Sequence, residues 1–352
     1  METYDKLHFD SNKIDGYNKT FNYIISPRED GKSTWFWVTK FWKAFQQGYT
    51  TLVLRRTIRD CTQAYVESIR FILEKFCQEK VEFQYHSSEL AEGICYIYID
   101  DRPAFVVLAM WLPLERFKSN VIPKLKYIFF DEFIVNTRDG EKYLPNEAFK
   151  LKEIYNTFYR EGKVDKPTKV YCCGNPYSLY IPLIDGYGID LNKLIQKGTF
   201  TGSNWLIDYH DIKPELRDFI LKKNPLYQFS DDYFKYAFEG RAVNDEKIWI
   251  SKEIPTNMSL AFVLVLGHTS LIVYQGEGQD GQLFHIERTS KDEGKRRQRF
   301  AIDLSSVQSG VNLLTYEEKR TTQYMKIALF RGQVSFSDVG AYYLLEEIAS
   351  KI

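Results

Sequence analysis

A chain of 352 residues has the length for two domains or one large one, and 44% apolar against 27% charged residues excludes a disordered polymer. Lysine plus arginine and aspartate plus glutamate stand at 47 each, which excludes a surface that coats nucleic acid all over and leaves room only for a local basic strip. The five cysteines (Cys61, Cys77, Cys95, Cys172, Cys173) are odd in number and lack C-x-x-C spacing, which argues against a disulfide framework and a zinc site and suits a reducing cytoplasm. The segment Met1 to Gly16 is polar, and no run approaches the ~18–20 apolar residues of a membrane span, so a soluble protein with no membrane partner is expected. The 25 Tyr and 25 Phe are spread without a base-stacking motif and read as core filling.

In chain order, Phe21–Ile25 is a short apolar run ending at Ser26-Pro27, with a helix expected from Lys32 to about Gln46. Thr51–Leu54 is strand-like and ends at Arg55-Arg56. Cys61–Gln78 has helical apolar spacing through Tyr65, Ile69, Ile72, Leu73 and Phe76. A strand pair, Ile94–Ile99 and Ala104–Met110, flanks the turn Asp100-Asp101-Arg102-Pro103. Tyr127–Phe130 is a compact apolar run of the kind found in buried central strands. Ala148–Tyr159 predicts a helix and Lys169–Cys173 a further strand. This alternation predicts a parallel α/β sheet with helices on both faces.

From about Asp190 the pattern becomes mixed and charged. Residues 1–195 are expected to form the first domain and 196–254 a linker region with a short helix at Pro214–Lys223. Residues 255–352 are expected to form a smaller domain, with strands at Leu260–Leu266, Leu271–Tyr274 and Leu283–Ile286 and helices at Glu317–Leu329 and Asp338–Ile348.

Two motifs carry chemistry. Ser26-Pro27-Arg28-Glu29-Asp30-Gly31-Lys32-Ser33-Thr34 has the form of a phosphate-binding loop, with Ser26 standing at the first glycine, between an apolar strand and a helix. Backbone N–H groups at a helix start wrap phosphates, Gly31 permits close approach, Lys32 neutralises β/γ oxygens and Ser33 offers a hydroxyl to Mg²⁺. Tyr127-Ile128-Phe129-Phe130-Asp131-Glu132 is an apolar strand ending in two acids. Asp131 there is a ligand for Mg²⁺, and Glu132 a general base for water. Together they predict ATP hydrolysis with ATP and Mg²⁺ as cofactors. Arg28, Arg55, Arg56 and Arg160 are the candidates for an arginine that stabilises charge on the transferred phosphoryl group, and the residues alone do not choose among them.

The segments Tyr17-to-Ser33 (YNKTFNYIISPREDGKS), Val53-Leu54-Arg55-Arg56, Phe129-Phe130-Asp131-Glu132-Phe133-Ile134 and Tyr143-Leu144-Pro145-Asn146-Glu147 resemble, in order and spacing along the whole chain, the DNA-packaging ATPases of small, short-tailed, protein-primed phages of the salasmavirus type. The D-E-F-I and Y-L-P-N-E pair is the most specific part. The resemblance implies a P-loop ATPase of the additional-strand catalytic-glutamate (RecA/FtsK-like) type, followed by an RNase H-like domain without a nuclease site. It implies translocation of double-stranded DNA into a preformed procapsid by a homomeric, pentameric ring on the portal vertex, in the host cytoplasm. Some members dock through a phage-encoded packaging RNA, which makes such an RNA a further candidate partner.

Position by position, the resemblance makes Arg28 the arginine inside the phosphate loop. Arg160, fifteen residues after Pro145 and following Tyr159, becomes the trans-acting arginine finger. Asn175 becomes the polar sensor of the γ-phosphate, with Gly174 and Pro176 standing where the family has Ser and Ala. A nuclease of this type needs a carboxylate in its first strand, and Ala261-Phe262-Val263-Leu264-Val265-Leu266-Gly267 carries none; Asp280 and Glu287 lie at separate, turn-adjacent positions. No DNA cutting is therefore expected. Lys291, Lys295, Arg296, Arg297 and Arg299 form the clearest basic strip, a candidate DNA-, portal- or RNA-facing loop, which Lys319 and Arg320 could join. The rival readings are another P-loop translocase or helicase, a weakly hydrolysing P-loop assembly switch, and an active terminase nuclease.

Overall fold

The computed structural model describes residues 11–113, 115–116, 122–136, 141–160, 168–178, 180–185, 187, 189, 194, 197–223, 248–266, 269–278, 281–289, 298–301, 307 and 310–351. They fall into two compact units, Met1–Asn244 and Asp245–Ile352.

The first unit begins with helix α1 (Ser11–Tyr17) and strand β1 (Phe21–Ile25). Three consecutive segments, Lys32–Trp35, Phe36–Phe41 and Trp42–Gln46, make up helix α2, and the middle one is wound as a π-helix. The sequence gives the reason. Trp35, Phe36, Trp37 and Val38 are four successive buried residues, more than one face of a 3.6-residue turn presents, and the wider π turn brings them all inward. Phe36 stacks on Phe129 at 3.9 Å between ring centroids, while Trp37 and Phe41 meet Phe105 edge-on. Helix α2 is thereby anchored over the strands that carry Phe105 and Phe129.

Those strands are β4 (Arg102–Ala109) and β5 (Leu125–Asp131); β2 (Thr50–Arg55) lies between them. Helix α3 (Gln63–Cys77) starts at Thr62, whose hydroxyl accepts from the Tyr65 N–H, and ends at Gln78 in a left-handed cap. A short helix, α4 (Ser87–Glu92), leads into β3 (Ile94–Ile99). Helix α5 (Glu147–Arg160), β6 (Lys169–Gly174), α6 (Pro182–Asp185), β7 (Thr199–Thr201), β8 (Trp205–Tyr209) and α7 (Pro214–Lys223) complete the unit.

The eight strands run in the order β3-β4-β2-β5-β6-β1-β8-β7. From β4 to β8 every pairing is parallel, while β3 and β7 close the edges antiparallel. The expected parallel α/β sheet is thus present, with two antiparallel edges added. Residues 196–254, expected to be a linker, contribute β7 and β8 to this sheet. Trp205–Tyr209 is a five-residue strand with only three consecutive buried side chains, too short for its alternation to stand out from the surrounding polar residues.

The second unit holds β9 (Met258–Leu266), β10 (Thr269–Gly278), β11 (Gly281–Thr289), β12 (Arg299–Ala301), β13 (Asn312–Leu313), helix α8 (Tyr316–Phe330), β14 (Val334–Phe336) and helix α9 (Val339–Lys351). Its sheet runs β13-β12-β9-β10-β11-β14. Strands β9, β10 and β11 form an antiparallel meander, and β12 and β14 join parallel on either side. Phe262 and Leu264 pack into one apolar cluster, Val263 and Val265 into another. Both faces of β9 are therefore covered, which is why its sequence is apolar without alternation.

Candidate nucleotide site

The carboxyl ends of β1, β2, β5 and β6 meet at one edge of the first sheet, where Ile25 is opposite Gly174 and Asp131 opposite Cys173. Ligand sites of open α/β sheets occur at such an edge. Ser26 follows β1 and Gly31 precedes α2 with φ 87°, a left-handed conformation that suits glycine. Ser26, the departure from the usual first glycine, is buried and its Oγ donates to Asp30 Oδ2 at 2.7 Å, a tie that closes the loop on itself.

Lys32 is buried, and its Nζ donates to the carbonyls of Ser26 (2.9 Å) and Pro27 (3.0 Å) and to Asn175 Oδ1 (3.0 Å). Burial lowers its pKa, opposed by the charges of Asp30 and Asp131. Ser33 Oγ donates to Asp131 Oδ1 at 2.8 Å. Burial raises the Asp131 pKa, with Arg55 and the Ser33 bond working against it. The loop, the acid-ended strand and Asn175 are thus joined by hydrogen bonds around one ammonium group.

Glu132 sits just beyond β5 with φ 56°, an uncommon conformation for a residue with a Cβ. Its side chain is 64% exposed, within reach of water, and its Oε2 lies 3.1 Å from the Arg55 guanidinium. Arg55 lies over the Tyr65 ring at 4.4 Å. The unusual backbone at Glu132 is held by Arg56, whose guanidinium donates to the carbonyls of Glu132 (3.2 Å) and Phe133 (2.7 Å). Arg56 also forms a two-pronged pair with Glu147, at 2.9 and 3.1 Å. Glu147 in turn accepts from the Leu144 N–H at 2.8 Å, at the start of α5. The distant Asp131-Glu132-Phe133 and Leu144-Pro145-Asn146-Glu147 segments are therefore one structural unit.

Arg28, Arg55, Arg56, Asp131, Glu132 and Asn175 line one open cleft of about 230 Å³. Of the four arginines considered from sequence, Arg55 and Arg56 are committed to Glu132 and Glu147. Arg28 faces the cleft, and Arg160 is the last residue of α5, its side chain outside the described residues. Glu29 has φ 66° and is exposed, and Pro27 contributes its carbonyl to Lys32. Thr34 lies in the first turn of α2.

Sequence reasoning missed Asp208 and His210. His210 follows β8 and places Nε2 2.9 Å from Asp30 Oδ2 and Nδ1 2.7 Å from Asp208 Oδ2. The one available signal was two acids, Glu29 and Asp30, inside an anion-binding loop, which calls for a cation nearby.

In the second unit, Lys291, Lys295, Arg296 and Arg297 lie outside the described residues, as does Asp280, and Arg299 opens β12 opposite Val263. Glu287 accepts a hydrogen bond from the Tyr274 hydroxyl at 2.9 Å. Lys319 is exposed on α8, and Arg320 lies over the Tyr324 ring at 5.8 Å. Among the described residues no helix is long and apolar enough to cross a membrane.

This architecture is the mixed α/β, parallel-rich fold of viral DNA-packaging proteins. Over 98% of its length the chain matches 99% of a chain in the bacteriophage Phi-29 viral genome packaging motor assembly, with TM-score 0.68 and 18% identity. It also matches, over 98% of both chains, the Phi-28 gp11 DNA packaging motor, with TM-score 0.67 and 14% identity. Direct comparison with curated proteins gives no match. The chain belongs to the podovirus DNA encapsidation protein (Gp16) family, whose model matches residues 4–341. It is a phage DNA-packaging protein, as the motif resemblance implied.

Proposed function

We propose that the chain hydrolyses ATP at the Ser26–Thr34 loop and uses the energy to drive double-stranded DNA into a procapsid. The observation that carries this reading is the 2.8 Å bond between Ser33 and Asp131, which brings the phosphate loop and the acid-ended strand together around Lys32. The strand order supports the additional-strand catalytic-glutamate subtype, because β6 lies between the loop-bearing β1 and the acid-bearing β5.

The Ser33 and Asp131 oxygens are hard donors suited to Mg²⁺, which keeps waters and phosphate oxygens among its ligands and needs no all-protein cage. Among the described residues there is no cluster of three or more His, Cys, Asp or Glu fit for a metal, in keeping with that mode. Bound there, Mg²⁺ would neutralise phosphate oxygens. Lys32 exchanges one of its loop carbonyls for a β/γ oxygen. Glu132, exposed and held by Arg55 and the Arg56-bound backbone, turns the attacking water and accepts its proton. Arg28 lies on the cleft wall, and Arg160 from a neighbouring copy completes the charge clamp. Asn175, bonded to Lys32, senses the phosphate and passes its state to β6.

The working form is a homomeric ring of five on the portal vertex in the host cytoplasm, a reading supported by the likeness to motor assemblies; a packaging RNA is a candidate docking partner. We assign residues 1–195, extended by β7 and β8, to the ATPase domain. Residues 255–352 are assigned to an RNase H-like domain, a reading supported by the β9–β10–β11 meander with β12 parallel to β9. Its first strand lacks a carboxylate and Glu287 is held by Tyr274, so it binds DNA or portal, through Arg299 and the neighbouring basic residues, without cutting.

The test is ATP hydrolysis by the full chain with double-stranded DNA and empty capsids. Glu132→Gln is expected to lower turnover by about 10²–10⁴. Adding Arg160→Ala subunits to wild type should poison the mixture. Normal hydrolysis by Glu132→Gln would remove the assignment of the base, and no response to DNA or capsid would remove the motor reading.

A further inference from the structure

The phosphate loop carries a buried carboxylate where a polyanion has to be held: Asp30 is 2% exposed, so water does not screen it. Left alone, it would repel the ligand the loop is built to bind. The structure supplies a compensating cation from the end of the neighbouring strand β8, at the same edge of the sheet. His210 lies with one ring nitrogen 2.9 Å from Asp30 and the other 2.7 Å from Asp208. With Asp30 and Asp208 both held as carboxylates, their pKa values lowered by the ring itself, both contacts are hydrogen bonds only if both nitrogens carry protons, which makes the ring an imidazolium.

Asp208 is itself compensated by Lys13 Nζ at 2.7 Å and by the Thr199 hydroxyl at 2.8 Å. The four groups Lys13, Asp208, His210 and Asp30 therefore sum to zero charge. The His210 backbone N–H also donates to the Ile25 carbonyl at 3.0 Å, which fixes the residue beside the start of the loop. A continuous chain of bonds runs from Ser26, in the loop, through Asp30 and His210 to β8. Burial and both carboxylates act on the ring, and the carboxylates win, raising its pKa to about 9.

We propose that His210 is a positioning residue of the phosphate loop, a fixed cation that neutralises Asp30, ties the loop to β8 and so sets nucleotide affinity. It acts through Asp30 rather than on the reacting atoms. The inference rests on reading Ser26–Thr34 as the nucleotide site.

The experiment titrates full-length protein with a fluorescent ATP analogue and Mg²⁺, and measures KM and kcat of the DNA- and capsid-stimulated ATPase. His210→Gln keeps a hydrogen-bonding side chain and removes the charge. It should weaken analogue binding about tenfold, with the loss in KM rather than kcat. Adding Asp30→Asn to that variant removes the unbalanced carboxylate and should restore affinity to within about threefold of wild type. A purely structural His210 would show as a loss of folded protein, with the KM of the folded fraction unchanged. Binding by His210→Gln within twofold of wild type, or no recovery in the double variant, overturns the proposal. Lys32→Ala separates the two readings. If it leaves binding unchanged, the site reading fails and this inference with it; if binding needs Lys32 but not His210, this inference fails alone.

Discussion

The two sheets of this chain treat polar side chains in opposite ways. In the first, parallel strands end together, and their last or next residues (Ser26, Arg55, Asp131, Asn175, His210) form a connected network of charges with open groups facing a cleft. In the second, polar side chains meet one another inside the sheet. Tyr274 bonds Glu287, and the buried His285 lies 2.8 Å from the Ser335 hydroxyl. Parallel strands deliver their ends to one edge, so chemistry from separate parts of the sequence meets there. An antiparallel meander sends alternate ends to opposite edges, and its polar groups meet across the ladder instead. The contrast fits the proposed division into a hydrolytic and a binding unit, and it can be attacked from either side.

The largest expected effect is on the first sheet. Glu147 and Arg56 are almost fully buried and bond to each other twice, so Glu147→Ala leaves the guanidinium without its counter-charge, hydrogen-bonded only to the Glu132 and Phe133 carbonyls. Breaking one partner of a buried pair costs about 3–5 kcal/mol. Urea unfolding followed through the buried Trp35 and Trp37 should show a loss of that size. The same substitution should reduce ATP turnover, because Arg56 holds the backbone of Glu132. A loss under about 1 kcal/mol would mean that the pair is solvated and the link from α5 to Glu132 is not structural.

A smaller effect is expected from pH. The two flanking carboxylates raise the His210 pKa from its ordinary 6.5 to about 9 in the folded chain. Its contribution to stability is therefore complete below about pH 6.5 and lost as pH rises through about 9. Asp208, lowered from 3.8 to about 2, contributes above about pH 4, and that contribution is lost as pH falls through about 2. The His210 side chain is still 24% exposed, so solvent trims the alkaline loss to roughly 2–3 kcal/mol. Wild type should lose stability between pH 7 and 10 while His210→Gln shows a flatter alkaline limb; identical slopes would mean that the ring is not charged.

How much of this was visible in the sequence depends on whether the signal was local. The strands on either side of the candidate phosphate loop and acid pair were legible because each is a short run with its own chemistry: FNYII before the loop, YIFFDE at the base. The Leu144-Pro145-Asn146-Glu147 segment was noticed only as a mark of kinship. Its physical role, as the acceptor for Arg56, needs two residues 91 apart in sequence to meet. Strand β8 was missed because three buried residues make no periodic pattern, and with it went Asp208 and His210. What the sequence did offer there was a conflict, an acid within an anion-binding loop, and such a conflict points to a partner without naming it.

The smallest effect tests the second sheet. Tyr274 and Glu287 are diagonal neighbours across the β10–β11 ladder, and their bond at 2.9 Å is partly buried. Tyr274→Phe removes one hydrogen bond to a carboxylate and should cost about 1–2 kcal/mol, read as a lower melting temperature. ATP hydrolysis should be unchanged, since the pair belongs to the second unit and the candidate cleft is lined by residues of the first. If instead metal-dependent cutting of supercoiled DNA appeared when Glu287 was released, the pairing would be a lock on a latent carboxylate site rather than a strut. The expected result is a destabilised unit that still leaves DNA intact, because one freed glutamate beside an acid-free β9 cannot assemble the several carboxylates that two catalytic metals require.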